Sequence, residues 1–197
     1  MSAFPAAATS NAEPIGPGRL VLVVGPSGAG KDSILAGAKA RCAGSSTVIF
    51  PRRIVTRPAT THEDHTSVSQ SDFDEAMRSG AFALWWEAHG LKYGLPISID
   101  AEIRSGSTVV CNASRGVVES SRLRYRHVTS MLITARADLL AARLKGRSRD
   151  SDGLLAERID RNGRYADFSA DIVIDNSGAL EEAVNVLTAA LLDNGAR

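Results

Sequence analysis

Short apolar runs alternate along this chain with amphipathic stretches, and the two patterns predict strands and helices in turn. Strands are predicted at 20–24, 48–56 with a break at Pro51, 82–87, 108–112, 128–134 and 171–175. Helices are predicted at 31–41, 72–79, 97–105, 114–124, 138–145, 154–165 and 179–192. Strands that alternate with helices are typical of an α/β fold with a central, largely parallel sheet flanked by helices.

Turn-forming residues separate these elements. Residues 58–71 are polar and rich in turn formers, so we predict no strand or helix within this stretch. Gly80 and Gly106 follow predicted helices, and glycine commonly ends a helix. Gly90 and Gly94 are interpreted as turn residues.

Composition places the chain among ordinary globular proteins. Its 197 residues are 44% hydrophobic and 23% charged, which is enough for one domain with a sizeable core. The formal net charge of +1 gives no overall field that would attract nucleic acid or a membrane surface. The stretch 122–164 differs, because it holds ten arginines and one lysine against five acidic residues. This local excess of positive charge suits an anionic ligand.

The termini and the cysteines give weaker signals. Residues 1–18 lack the basic and apolar regions of a signal peptide, and we predict a disordered tail there. No apolar run approaches the ~18 residues needed to span a membrane. Cys42 and Cys111 fit neither a metal pattern nor a disulfide framework, so we expect reduced thiols in a cytoplasmic protein. The sequence leaves the oligomeric state open.

The strongest chemical signal is a glycine-rich loop between the first predicted strand and the first predicted helix. It reads Gly25-Pro26-Ser27-Gly28-Ala29-Gly30-Lys31 and continues into Asp32 and Ser33. Glycines permit positive φ, which turns several N–H groups towards a phosphate, and the next helix adds the positive end of its dipole. Lys31 would reach the β- and γ-phosphates of a nucleotide. The spacing and its context predict a P-loop that binds ATP.

Asp32 occupies the position where a P-loop has a serine or threonine that holds Mg²⁺. A carboxylate is also a good magnesium ligand, so we expect Asp32 to bind Mg²⁺ directly or through water. The alternative is that this aspartate only stabilises the positive end of the helix.

Several segments together resemble the guanylate kinase family over residues 19 to about 192. Besides the P-loop, they are Thr56-Arg57, Asp72-Phe73, Trp86-Glu87, Tyr93-Gly94, Arg143 to Arg147, Asp150 to Asp152, Arg158, Tyr165 and 172–176. The resemblance implies a P-loop kinase domain at 19–197, with an acceptor-binding insertion at 53–98 and a helical lid at 140–165.

The same resemblance implies that three lid arginines, Arg143, Arg147 and Arg158, act with Lys31 on the transferring phosphoryl group. The alternative is a solvated lid face, on which these arginines pair with neighbouring acidic side chains.

The acceptor region departs from the guanylate kinase pattern. Of that family's two arginines, Arg57 is present, while Thr60 replaces the second. Arg53 stands where the family has a phosphate-binding serine, and His65 stands where it has a tyrosine. Asn112 lies where the family has an acidic strand end. These changes predict a site that still binds a phosphate group but no longer recognises guanine.

The departures resemble a narrower family, the ribose 1,5-bisphosphate phosphokinases of phosphonate degradation. The segments that carry this resemblance are 30–33, 56–59, 63–65 and 89–94. Such kinases use ATP to make 5-phosphoribosyl 1-diphosphate, so the resemblance implies a phosphorylated sugar as the acceptor. We predict that it is bound by Arg53, Arg57, Glu87, Tyr93 and Arg115. Surface salt bridges are the alternative for Arg53 and Arg57.

Two other functions stay open at this point. One is a divergent guanylate or other nucleoside-monophosphate kinase. The other is a non-catalytic guanylate-kinase-like module that binds protein partners, although such modules can dispense with the phosphate-holding lysine and lid arginines that this chain keeps.

Overall fold

A computed structural model of the chain describes residues 13–57, 65–88, 90–145 and 168–193. The strands are β1 Arg19–Val24, β2 Val48–Ile49, β3 Arg53–Val55, β4 His65–Ser67, β5 Phe82–Ala88, β6 Leu91–Pro96, β7 Thr108–Asn112, β8 Val128–Thr134 and β9 Ile172–Asp175. The helices are α1 Lys31–Arg41, α2 Gln70–Arg78, α3 Ile99–Arg104, α4 Val118–Arg124, α5 Ala137–Lys145 and α6 Leu180–Leu192, with a 3-10 turn at Arg115–Val117.

Five of the strands form one sheet in the order β2-β7-β1-β8-β9. β2 pairs with β7 and β8 pairs with β9, both in parallel. Strands of a parallel sheet are covered on both faces, which explains why β1 is buried almost throughout. The central parallel sheet with flanking helices confirms the predicted α/β class.

The remaining strands form a second sheet in the order β4-β3-β6-β5. β3 runs parallel to β4 and antiparallel to β6, and β5 and β6 form an antiparallel pair. The ring of Phe73 on α2 stacks on Phe82 of β5, with 4.5 Å between the ring centroids. These elements lie within residues 53–96, inside the segment that the resemblance assigns to an insertion.

Three features differ from the sequence predictions. The predicted strand 48–56 is two strands, β2 and β3, which belong to different sheets. β4 and β6 were not predicted, because β4 has only the polar residues His-Thr-Ser and β6 contains a glycine and a proline. Gly94 is not a turn residue. It lies within β6, and a Cβ there would come within 2.6 Å of the Phe82 ring.

Other glycine predictions are confirmed. Gly80 and Gly106 follow α2 and α3 with φ of 74° and 93°, and Gly90 has φ of 71° between β5 and β6. Each is in the left-handed region that glycine adopts at low cost. The last predicted helix before β9, at 154–165, lies outside the described residues.

The chain forms two compact units. The first unit combines Met1–Leu22 with Ser46–Val128, and the second combines Val23–Ser45 with Thr129–Arg197. The predicted tail at 1–18 extends too far, because its last residues are tied into the first unit. The Ile15 N–H donates to the Arg124 carbonyl at 2.9 Å, and Gly18 donates to Ile103 at 2.9 Å. Residues 1–12 lie outside the described part of the chain.

Each unit has its own buried residues. The first unit buries Phe73, Leu95, Ile99, Ile103, Val109 and Val110. It also buries the Asp100 carboxylate, which forms an ion pair with Arg124 and accepts a hydrogen bond from the Tyr125 hydroxyl at 2.7 Å. The second unit buries Val23, Val24, Ile34, Met131, Ile133, Leu187 and Leu191. Within the described ranges, no helix has the length and apolar character needed to cross a membrane.

Candidate active site

The P-loop lies in the second unit, between β1 and α1. Gly25, Gly28 and Gly30 have φ of 151°, 85° and 90°, which non-glycine residues rarely adopt. A side chain would also not fit, because a Cβ on Gly25 would overlap the carbonyl oxygen of Ile133. The loop therefore presents a cradle of bare backbone, which suits the triphosphate of a nucleotide.

Lys31 holds the loop together in this conformation. Its Nζ donates to the carbonyl oxygens of Gly25 and Pro26, at 2.8 and 2.9 Å. The side chain of Lys31 is half-buried. Lys31 is the first residue of α1, and the preceding residue, Gly30, has no side chain to cap the first turn. The ammonium group and the positive end of the helix thus concentrate positive charge where phosphates would bind.

Asp32 and Ser33 follow in the first turn of α1 and are both exposed. Their oxygens fit Mg²⁺, which protein sites commonly bind through one carboxylate together with water and substrate phosphates. In the described part of the chain, no group of three or more histidine, cysteine, aspartate or glutamate side chains could hold a metal by itself. Asp32 stays the predicted ligand of an ion beside bound phosphates.

Asn176 is a residue of this site that the sequence interpretation missed. It follows β9 and is only 3% exposed, and its Nδ2 donates to the Ala29 carbonyl at 2.7 Å. The backbone carbonyl of Asn176 accepts a hydrogen bond from Nη2 of Arg143 on α5 at 3.1 Å. The available signal was its position directly after an apolar strand, because ligands commonly bind at the carboxyl ends of parallel strands.

Arg143 is the only predicted lid arginine among the described residues, since Arg147 and Arg158 lie outside them. Its Nη1 is buried and has no hydrogen-bond partner within the described ranges. A buried guanidinium N–H group without a partner costs free energy, so the second unit offers an anion-binding group close to Asn176.

The acceptor residues predicted from sequence lie in the first unit, and the structure brings two of them together. The Arg53 guanidinium lies over the Tyr93 ring, 5.9 Å from its centroid. The Tyr93 ring stacks in turn on Trp86, with 5.5 Å between centroids and 6° between the planes. β3, β6 and β5 place these three side chains in neighbouring positions of one sheet face, because Val55 pairs with Tyr93 and Tyr93 pairs with Trp86.

Glu87 is not brought to this face. It pairs with Lys92, and successive side chains of a strand point to opposite faces, so Glu87 and Lys92 lie on the face away from Tyr93. On that second face, Lys92 forms an ion pair with Asp74 of α2. Glu87 therefore does not lie on the same sheet face as Arg53 and Tyr93.

The other acceptor candidates lie near the ends of strands in the first unit. Arg57 is half-buried two residues after the end of β3, and Arg115 is half-buried in the 3-10 turn that follows β7. His65 pairs with Arg53 across β3 and β4 and is 5% exposed.

Burial raises the pKa of the Cys111 thiol on β7 to about 12, and the nearby positive charge of Arg53 opposes that rise.

Comparisons with known proteins give the family. No family model matches the chain. A ribose 1,5-bisphosphate phosphokinase (PhnN) of Bradyrhizobium diazoefficiens is 46% identical over 181 residues, which cover 92% of this chain and 91% of that protein. One of Rhodopseudomonas palustris is 49% identical over 164 residues, which cover 83% of each. The chain belongs to the ribose 1,5-bisphosphate phosphokinase family.

Solved structures show that the fold of this chain resembles that of a guanylate kinase. A guanylate kinase of Anaplasma phagocytophilum superposes with a TM-score of 0.62 at 21% identity, covering 88% of this chain and 84% of that one. A sugar kinase of a Janibacter species gives a TM-score of 0.51 at 19% identity, covering 90% and 95%. At such identities the likeness concerns the fold, and it confirms the guanylate-kinase-like architecture of this chain.

Proposed function

We propose that this protein transfers the γ-phosphoryl group of ATP to ribose 1,5-bisphosphate, giving ADP and 5-phosphoribosyl 1-diphosphate. The observation that carries the proposal is family membership across nearly the whole chain, which includes the P-loop and the Arg53 segment. The family places the activity among phosphate-to-phosphate transfers by a kinase. The cytoplasmic location expected from the sequence stays a prediction.

In this reaction an oxygen of the acceptor's 1-phosphate attacks the γ-phosphorus of ATP. The bond from that phosphorus to the β,γ-bridging oxygen breaks, and ADP leaves. The acceptor oxygen is already anionic, so no general base has to remove a proton. Catalysis must then come from alignment and from neutralisation of negative charge.

The second unit supplies groups suited to the donor. The backbone N–H groups of the P-loop cradle would bind the phosphates of ATP, together with the ammonium group of Lys31. The buried Nη1 of Arg143 would stabilise charge on the transferring group. Mg²⁺ held by Asp32 would screen the phosphate charges and make the γ-phosphorus more electrophilic. Arg147 and Arg158 remain predicted partners of Arg143.

The first unit supplies groups suited to the acceptor. Arg53 is oriented by the Tyr93 ring, and a guanidinium can donate two parallel hydrogen bonds to a phosphate. Arg57 and Arg115 stay predicted anchors for the phosphates of a bisphosphate. Tyr93 would offer its hydroxyl to the sugar, while Glu87 is the weakest of the predicted contacts because it lies on the other sheet face.

The test is a phosphotransfer assay with ATP and Mg²⁺, in which ribose 1,5-bisphosphate and GMP are offered separately. ADP and the product are followed by ³¹P NMR. We expect a new diphosphate signal only with ribose 1,5-bisphosphate. Turnover only with GMP would overturn the proposal in favour of a nucleoside-monophosphate kinase. Absence of turnover with either acceptor would contradict the proposed reaction, and binding of a protein partner without ATP turnover would favour the non-catalytic module.

A further inference from the structure

Hydrogen bonds of the surrounding turn fix the position of Asn176, independently of its side chain. Its backbone N–H donates to the Thr134 carbonyl at 2.7 Å, which joins the end of β9 to the end of β8. Ser177 then reinforces the turn, because its hydroxyl donates to Asp175 at 2.6 Å and accepts from the Arg136 N–H at 2.9 Å. The Asn176 amide is therefore held against the P-loop by the framework of the second unit.

This amide determines how one peptide of the P-loop is oriented. Asn176 Nδ2 donates to the Ala29 carbonyl. The same nitrogen lies so close to Gly30 that a Cβ on that residue would be only 2.4 Å from it. The peptide between Ala29 and Gly30 is planar and trans, so its N–H points opposite to its carbonyl. Holding the carbonyl towards Asn176 thus directs the Gly30 N–H away from Asn176.

The backbone of the same residue holds the predicted lid helix. Arg143 Nη2 donates to the Asn176 carbonyl, which leaves Nη1 buried and without a partner in the described part of the chain. One residue therefore contacts both a P-loop peptide and a guanidinium that is suited to an anion.

We propose that Asn176 is a positioning residue, whose side-chain amide holds the Ala29–Gly30 peptide in the arrangement that binds the phosphates of ATP, beside the Arg143 guanidinium that its backbone carbonyl binds. The proposal rests on the proposed use of ATP but not on the identity of the acceptor. Aspartate would not serve at this position. It would place a carboxylate oxygen against the Ala29 carbonyl and add a negative charge beside the phosphate site.

The test compares Asn176→Ala and Asn176→Asp with Asn185→Asp as the control. Asn185 is exposed on α6, where its Oδ1 accepts from Arg41, and the change to aspartate keeps that oxygen. The dissociation constant of ATP with Mg²⁺ is measured by calorimetry without any acceptor, and thermal unfolding is followed in parallel. We expect about tenfold weaker binding in both Asn176 variants, as for the loss of one buried hydrogen bond, and unchanged binding in the control.

A pH series separates positioning from a general structural role. Burial opposes ionisation of the new carboxyl in Asn176→Asp, whereas the Arg143 guanidinium of α5 and the positive end of α1 favour it. Only the protonated carboxyl can donate to the Ala29 carbonyl. Relative to Asn185→Asp, its ATP affinity should therefore recover as pH falls from about 8 to about 5. If this variant shows no such recovery, or if both Asn176 variants bind ATP like the wild type, the proposal is wrong. Because no acceptor is present, failure of the ribose 1,5-bisphosphate assay would leave this result intact.

Discussion

The position of the Arg53 side chain depends on the aromatic rings packed beneath it. Its guanidinium lies over Tyr93, and the Tyr93 ring is stacked on the buried Trp86. A cation over an aromatic face gains ~0.5–2 kcal/mol, depending on how far the pair is removed from water. Trp86 therefore influences the predicted acceptor anchor without reaching the acceptor itself.

We expect Trp86→Leu to raise the KM for ribose 1,5-bisphosphate about fivefold and to leave the KM for ATP unchanged, because the ring beneath Arg53 loses its support. Trp85→Leu is the matched control, since Trp85 pairs with Gly94 on the opposite sheet face. Steady-state kinetics with each substrate varied in turn provide both constants. Equal changes in the two variants would contradict a role for the aromatic stack.

Cys111 predicts a pH dependence of stability. A thiol of the unfolded chain ionises near pH ~8.5, whereas burial keeps Cys111 protonated to about pH 12. Above pH ~8.5 the unfolded state binds fewer protons than the folded state, so the free energy of unfolding falls as pH rises. The fall due to Cys111 approaches ~1.4 kcal/mol per pH unit. Urea unfolding between about pH 8.5 and 10 should show a shallower decline in Cys111→Ala, and an identical decline would refute this cause.

At the scale of elements, the pairing of β5 with β6 depends on a missing side chain. Gly94 leaves space for the Phe82 ring, which is stacked on Phe73 of α2. We expect Gly94→Ala to lower the free energy of unfolding by ~1–3 kcal/mol, the usual cost of overpacking. Gly44→Ala is the control, because a Cβ there would meet no atom within 4 Å. Chemical denaturation gives both values, and equal values would contradict the packing explanation.

The sequence predicts elements well where two independent signals agree. β1 and α1 have an apolar strand, a glycine loop and a helical pattern in succession, and α1 was predicted with its observed bounds. β4 has neither apolar character nor alternation, so pairing with β3 rather than composition makes it a strand. The Arg53–Tyr93–Trp86 stack and the contact of Asn176 with Ala29 arise from tertiary pairing over long sequence separations, and residue spacing does not encode such contacts.

At the scale of the whole molecule, the two groups of candidate residues come from different units. Lys31, Asp32, Arg143 and Asn176 belong to the second unit, while Arg53, Arg57, Tyr93 and Arg115 belong to the first. In the proposed function, the donor is bound by the second unit and the acceptor by the first. A substrate that contacts one unit loses affinity when residues of that unit are changed, so we expect binding of each substrate alone to respond to substitutions in its proposed unit.

We therefore expect Lys31→Ala to weaken ATP binding and to reduce kcat about 100-fold, because the ammonium group is lost from the phosphate site. Lys39→Ala, an exposed position on the same helix, is the control. Arg53→Ala should weaken binding of ribose 1,5-bisphosphate and leave the affinity for ATP within about a factor of two. Calorimetry on each of the three variants with each substrate alone measures all six affinities. Equal loss of ATP affinity in Arg53→Ala and Lys31→Ala would show that Arg53 serves the donor, and the division of substrates between the units would be wrong.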